Sequence, residues 1–131
     1  MSNPTKPRRL LLDTHVVLWW LADDPTLSDE IKRSIDEEID VFVSAATVWE
    51  VAIKQSLGKL VAPVDLPEKI RDSELRNLPI TADDAIAAGR LPLIHRDPFD
   101  RMLVAQARSD GLTLVTRDNA LGTYDVEVLN A

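Results

Sequence analysis

The sequence contains no cysteine, which excludes a disulfide framework, a zinc–thiolate site and a cysteine nucleophile. That absence fits a reducing, cytoplasmic setting, which is the expected location. There is no apolar run of membrane-spanning length: the longest follows Asp13 and ends by Asp23. The opening Met1-Ser2-Asn3-Pro4-Thr5-Lys6-Pro7 lacks a hydrophobic region of signal-peptide size. Basic charge is also short. Fifteen Lys and Arg against 22 Asp and Glu leave a net charge of −7, at first sight a poor match for nucleic acid. No internal repeat, low-complexity tract or interdomain linker stands out.

What is present suits one domain over residues 1–131, with a core at about 9–129, since 131 residues and a 45 % apolar content are ordinary for a single globular core. The charge is unevenly spread. Residues 23–40 hold eight acids against Lys32 and Arg33, so this segment carries −6 of the −7. Arg8, Arg9, Lys54, Lys59, Arg96, Arg101, Arg108 and Arg117 lie elsewhere and remain available to a site. The acidic run itself reads as a solvated helix face.

Short apolar runs alternate with amphipathic segments. Strands are expected at Leu10–Leu12, Val41–Val43, Leu78–Ile80, Thr113–Thr116 and Val126–Leu129, the third at an edge because of Pro79. Helices are expected at Thr14–Ala22, Ser28–Glu38, Ala45–Leu57, Pro67–Leu75, Thr81–Gly89 and Pro98–Ser109, with Asp13 or Thr14, Ser28, Ser44, Thr81 and Asp97 as caps. Gly58 ends the third helix. This alternation predicts an α/β fold: three layers, α/β/α, around a central, mainly parallel sheet.

Four acids fall where such a sheet gathers its ligands, at strand C-termini and the starts of the following helices. Asp13 ends the first strand. Asp118 lies two residues past Thr116. Asp100 is in the first turn after "HRDPFD". Glu50 sits in the helix after Val43. Each has a local explanation: Asp13 and Asp118 as caps, Asp100 as a first-turn acid, and Glu50 as a partner of Lys54 one turn on. Together, without an evident basic partner, they would repel one another, and a divalent cation bound by hard oxygens resolves this.

The blocks "LLDTHVVLWWL", "SAATVWEVAIKQSLGKL", "HRDPFDRMLVAQA" and "LVTRDNAL" resemble, in order and spacing, the PIN-domain ribonucleases, and specifically the VapC toxins of type II toxin–antitoxin systems. The resemblance spans about Leu10 to Leu129. It implies a three-layer PIN domain and a magnesium-dependent endoribonuclease, with manganese as a possible substitute. Asp13, Glu50, Asp100 and Asp118 match the family's four acids, catalytic and metal-holding, and Asp97 stays a helix cap. The family also implies a VapB-type antitoxin and a homodimer within the toxin–antitoxin complex. One departure is Ala120, where some relatives carry another acid, so the number of metals is open.

In that reading a carboxylate-held metal activates water and stabilises charge during RNA phosphodiester hydrolysis. Glu50 either completes the cluster or orients the water. Arg96 and Arg117 flank two of the acids and are candidates for RNA phosphate contacts. His15 and His95 are weighed as bases and read as structural or solvent-facing. Trp19 and Trp20 lie in a helix apolar on every side, and are candidates for an antitoxin groove. The acidic segment 23–40 would attract a basic antitoxin tail. Two other readings fit less. An aspartate-nucleophile phosphatase needs a second aspartate where His15 stands. An inactive PIN-like binding domain would have lost acids that are all present.

Overall fold

The computed structural model describes residues 8–61 and 63–131, so the reading of Met1–Pro7 lies outside the described residues. The first strand, β1 (Arg9–Leu12), is built on three leucines with no exposed surface. Successive side chains of a strand point to opposite faces, and here each face has its own core. Leu10 and Leu12 join Val16 and Val17 of α1 (Thr14–Leu21), Ile31 and Ile35 of α2 (Asp29–Glu37), Val51 of α3 (Ala45–Ser56) and Ile70 of α4 (Leu66–Arg71). Leu11 joins Ala88 of α5 (Ala82–Arg90) and Leu103 and Val104 of α6 (Pro98–Asp110). Helices thus cover both faces of one sheet, which is the α/β/α sandwich expected.

The sheet runs β3–β2–β1–β4–β5 and every pairing is parallel. Its other strands are β2 (Asp40–Ser44), β3 (Arg76–Leu78), β4 (Thr113–Thr116) and β5 (Val128–Asn130). The chain builds outward from β1 to β2 and β3, then returns to the other side of β1 for β4 and β5. Strand order therefore reverses between β1 and β4, and a crevice forms where the two connections part. Asp13 stands at that point, its backbone N–H donating to the Val115 carbonyl at 3.0 Å.

The caps are local chemistry that the tertiary fold preserves. Asp13, Ser28, Ser44 and Asp97 each accept a backbone N–H of the following helix. Thr81 and Asp84 close a reciprocal capping box on α5. Three elements differ from the sequence expectation by more than one residue at an end. β3 lies at Arg76–Leu78, which leaves Pro79 just outside the ladder that its missing N–H cannot serve. β5 pairs through Val128–Asn130, while Val126 packs on the second core instead. α4 stops at Arg71, short of Leu75, and the Ser73 hydroxyl donates to the Ile70 carbonyl that a further turn would need.

β1 is the shared wall of both cores, so truncation there should be costly. Leu11→Ala should lower unfolding free energy by about 2–5 kcal/mol, read as a shift of the urea midpoint with an unchanged slope.

Candidate acid-lined active site

A pocket of about 210 Å³ opens at the C-terminal edge of the sheet, and all four acids named from the sequence line it. Asp13 is at its floor, 7 % exposed. One carboxylate oxygen accepts the Val16 N–H at 2.9 Å and the other the Thr116 hydroxyl at 2.5 Å. Burial raises its pKa above the usual carboxylate value, and those two hydrogen bonds work against the rise.

Glu50 is 5 % exposed in the middle of α3. Its Oε1 accepts the Thr14 hydroxyl at 2.5 Å and its Oε2 accepts Lys54 Nζ at 2.6 Å. The contact with Glu50 raises the Lys54 pKa. This corrects the expectation that the acids lack a basic partner: the local pairing of Glu50 with Lys54 is realised, inside the same pocket.

Asp118 caps the 3₁₀ turn Asn119–Thr123 through its Oδ1, as expected, and turns its Oδ2 toward His95 Nε2 at 3.0 Å. Asp100 Oδ2 is 3.6 Å from the same nitrogen. Asp100 is pushed up to about 7, first by burial and next by the charge of Asp97; His95 opposes the shift, and Asp13 and Glu50 add to it. Asp97 is both the cap of α6 and a wall of the pocket.

His95, read from the sequence as structural or solvent-facing, belongs to a group of ligand-type atoms: its ring nitrogen and one oxygen each of Asp100 and Asp118 lie within 4.8 Å of one another. Its tautomer follows from its neighbours. Nδ1 accepts the Asp97 N–H at 3.1 Å, so in the neutral ring Nε2 carries the proton and donates toward Asp118. The loop that presents it is pinned by Arg101, 8 % exposed, whose guanidinium donates to the carbonyls of Ala88, Leu91, Pro92 and His95. Tyr124 closes the same loop, accepting the His95 N–H and donating to Pro92 O. The sequence signal for His95 was its place in "HRDPFD", five residues before Asp100. His15 also lines the pocket and is exposed.

The two arginines expected beside the acids part company. Arg117 lines the pocket, lies 4.6 Å over the Trp19 ring and donates to the carbonyls of Thr26 and Ala131. Arg96 is exposed and is not among the lining residues. The two tryptophans also separate. Trp19 borders the acid pocket and an apolar hollow of about 460 Å³ with Leu18, Leu21, Leu60 and Leu66. Trp20 faces a different hollow beside Ile39, with its Nε1 donating to Asp36. They do not share one groove, because consecutive helix residues point about 100° apart.

The donor set fits a hard divalent cation. Asp13, Glu50, Asp100 and Asp118 line one pocket, and Asp100 and Asp118, together with His95, bring ligand-type atoms within 4.8 Å of one another.

A parallel α/β sandwich with an acid cluster at its strand switch point is the class that fold and site define. Residues 10–127 match the PIN domain. The chain is 32 % identical over 118 residues to Ribonuclease VapC22 of Mycobacterium tuberculosis (strain ATCC 25618 / H37Rv), covering 88 % of this chain and 91 % of that protein. FitAcB from Neisseria gonorrhoeae is 26 % identical, with a TM-score of 0.66 over 92 % of this chain and 96 % of that one. VapBC from Salmonella typhimurium, solved bound to DNA, shares the fold at 19 % identity, with a TM-score of 0.68 over 94 % and 98 % of the two chains. The chain belongs to the PIN-domain family, among the VapC toxin ribonucleases.

In chelator, folded Asp100 binds a proton up to about pH 7, whereas unfolded it releases it near 3.8. The native state thus holds more protons across that window, and stability falls as pH rises through it. Thermal melts of the chelated protein from pH 4 to 7.5 should show this fall, and Asp100→Asn should flatten it.

Proposed function

We propose that this protein is a magnesium-dependent endoribonuclease, the toxin of a toxin–antitoxin pair, with manganese able to substitute. The observation that carries the reading is the convergence of Asp13, Glu50, Asp100 and Asp118 on one pocket with Asp100 pushed up to about 7. Family membership supports ribonuclease chemistry. Asp13, Asp100 and Asp118 would hold the cation, directly or through water. When bound, that cation supplies an activated water and stabilises charge on the phosphoryl oxygens.

The chain's own residues set the geometry for this. Thr116 and the Val16 N–H fix the Asp13 carboxylate while leaving it lone pairs. Thr14 and Lys54 hold Glu50, which suits it to orient the attacking water rather than to bind the cation alone. His95, with Nε2–H toward Asp118, orients the carboxylates as a donor. Arg117, stacked on Trp19 and lining the pocket, would be the arginine to meet an RNA phosphate. Arg96 can meet only RNA that extends beyond the pocket.

The proposed partner is a VapB-type antitoxin, with the toxin as a homodimer in the complex. The apolar hollow of Leu18, Trp19, Leu21, Leu60 and Leu66 adjoins the acid pocket through Trp19. An apolar segment seated there could extend a basic side chain to Asp13 and Asp100. The acidic residues 23–40 would draw such a segment in.

Purified protein should cut RNA in magnesium or manganese and stop in excess chelator; full activity in chelator would overturn the metal assignment. Losing even an outer-shell partner of a metal costs 10–100-fold, so Asp13→Asn should slow cleavage by at least about 100-fold. Wild-type rates from that variant would show the site to be misplaced. Trp19→Ala should weaken antitoxin binding by about 2 kcal/mol or more, as hot-spot aromatics do, with Trp20→Ala near neutral. Titration calorimetry on variants shown to be folded by circular dichroism checks both.

A further inference from the structure

We infer that Lys54 is a further catalytic residue of this site: its ammonium, held beside Glu50, contacts a non-bridging oxygen of the scissile phosphate. This rests on the ribonuclease reading above and deepens it by one residue that the four acids cannot replace.

The need for a fixed cation follows from charge. Five carboxylates line the pocket, those of Asp13, Glu50, Asp97, Asp100 and Asp118. A divalent ion neutralises part of that charge, but a phosphodiester brings a further negative charge into the same space, and charge develops on its oxygens as water attacks. Among the described residues that line the pocket, the permanent cations are Lys54 and Arg117. Arg117 is largely committed: it donates to the carbonyls of Ala131 at 2.8 Å and Thr26 at 2.7 Å, and it lies over the Trp19 ring.

Lys54 is committed only in part. It follows Glu50 by one turn of α3, and residues four apart share a helix face, so ammonium and carboxylate reach the pocket together. Nζ donates to Glu50 Oε2 at 2.6 Å. An ammonium carries three N–H groups, and Glu50 is the side-chain partner of Lys54 among the described residues. Two N–H groups are left for an acceptor in the pocket. Glu50 is also the acid proposed to orient the attacking water. Water and ammonium would then share one carboxylate, so a phosphorus within reach of the water presents its non-bridging oxygens to the ammonium. Lys54 forms no covalent bond and transfers no proton there; it acts as a fixed positive charge where negative charge grows.

The test separates this role from that of a mere partner for Glu50. Lys54→Gln keeps an N–H donor for Glu50 and removes the charge; Lys54→Arg keeps the charge. The Lys54 side chain is 40 % exposed, so neither change disturbs the core. Binding of fluorescein-labelled single-stranded RNA decamers, oligo(A), oligo(U) and oligo(C), is read by anisotropy with calcium in place of magnesium, from about 50 to 200 mM KCl. The slope of log affinity against log salt should become shallower by about 0.7 in Lys54→Gln, the loss of one phosphate contact on a single strand, and stay as in the wild type in Lys54→Arg. In magnesium, Lys54→Gln should lower kcat about 100- to 1000-fold with a smaller change in KM, and Lys54→Arg should recover most of that loss. A slower Lys54→Gln with the wild-type salt slope would mean that Lys54 only holds Glu50, and the inference falls. A shallower slope with wild-type kcat would place the contact on a phosphate that does not react, and the inference falls again. In both cases a wild type that cleaves RNA leaves the ribonuclease reading standing. A wild type that neither binds nor cleaves RNA removes both.

Discussion

The structure is organised around negative charge gathered at the strand switch point. Asp13 is nearly enclosed, its two oxygens tied to the first turn of α1 and to the end of β4. It therefore joins the two halves of the sheet at the place where strand order reverses. Burial and the other acids raise its pKa and that of Asp100, so the native fold holds these carboxylates at some cost to its own stability. Such a cost is characteristic of sites arranged for binding or chemistry.

The rest of the architecture makes that arrangement tolerable and rigid. Lys54 and Thr14 satisfy Glu50, and His95 lies between Asp100 and Asp118. His95 is in turn positioned by main-chain contacts, since Arg101 collects the carbonyls of Ala88, Leu91, Pro92 and His95, and the Tyr124 hydroxyl accepts the His95 N–H and shares the Pro92 carbonyl. A buried guanidinium without a carboxylate partner is unusual; here its charge is spread over carbonyl dipoles, and a loop without regular structure becomes a fixed wall.

Charge outside the pocket has a different character. In the acidic segment Asp23 pairs with Lys32, Glu38 with Arg8, and Asp40 with both Arg9 and Arg76. These are surface pairs in water and contribute little to stability. They leave the segment's net sign unchanged, which is the property the proposed attraction of a basic antitoxin tail requires. The proposed contacts with RNA fall on different features, Arg117 over the Trp19 ring and Lys54 beside Glu50.

Much of this was legible in the order of residues. A run such as Leu10-Leu11-Leu12 makes a strand buried on both faces, an Asp, Ser or Thr before a helix caps it, and alternation of the two elements makes a parallel sheet; each is a short-range rule, and the four acids fall at one edge by topology alone. Where a local rule was weak the boundaries slipped, as at β3 beside Pro79 and at β5. Other features are decided by contacts between residues far apart in the chain, so no spacing announces them. The approach of His95 to Asp118, the tie from Thr116 to Asp13 and the seat of Arg117 on Trp19 all depend on how loops from different strands meet. The sequence determined which acids share an edge because sheet order places strand ends together. Only the tertiary structure decided which bases and hydroxyls stand among them, because side chains meet across loops whose paths are set by packing rather than by pattern.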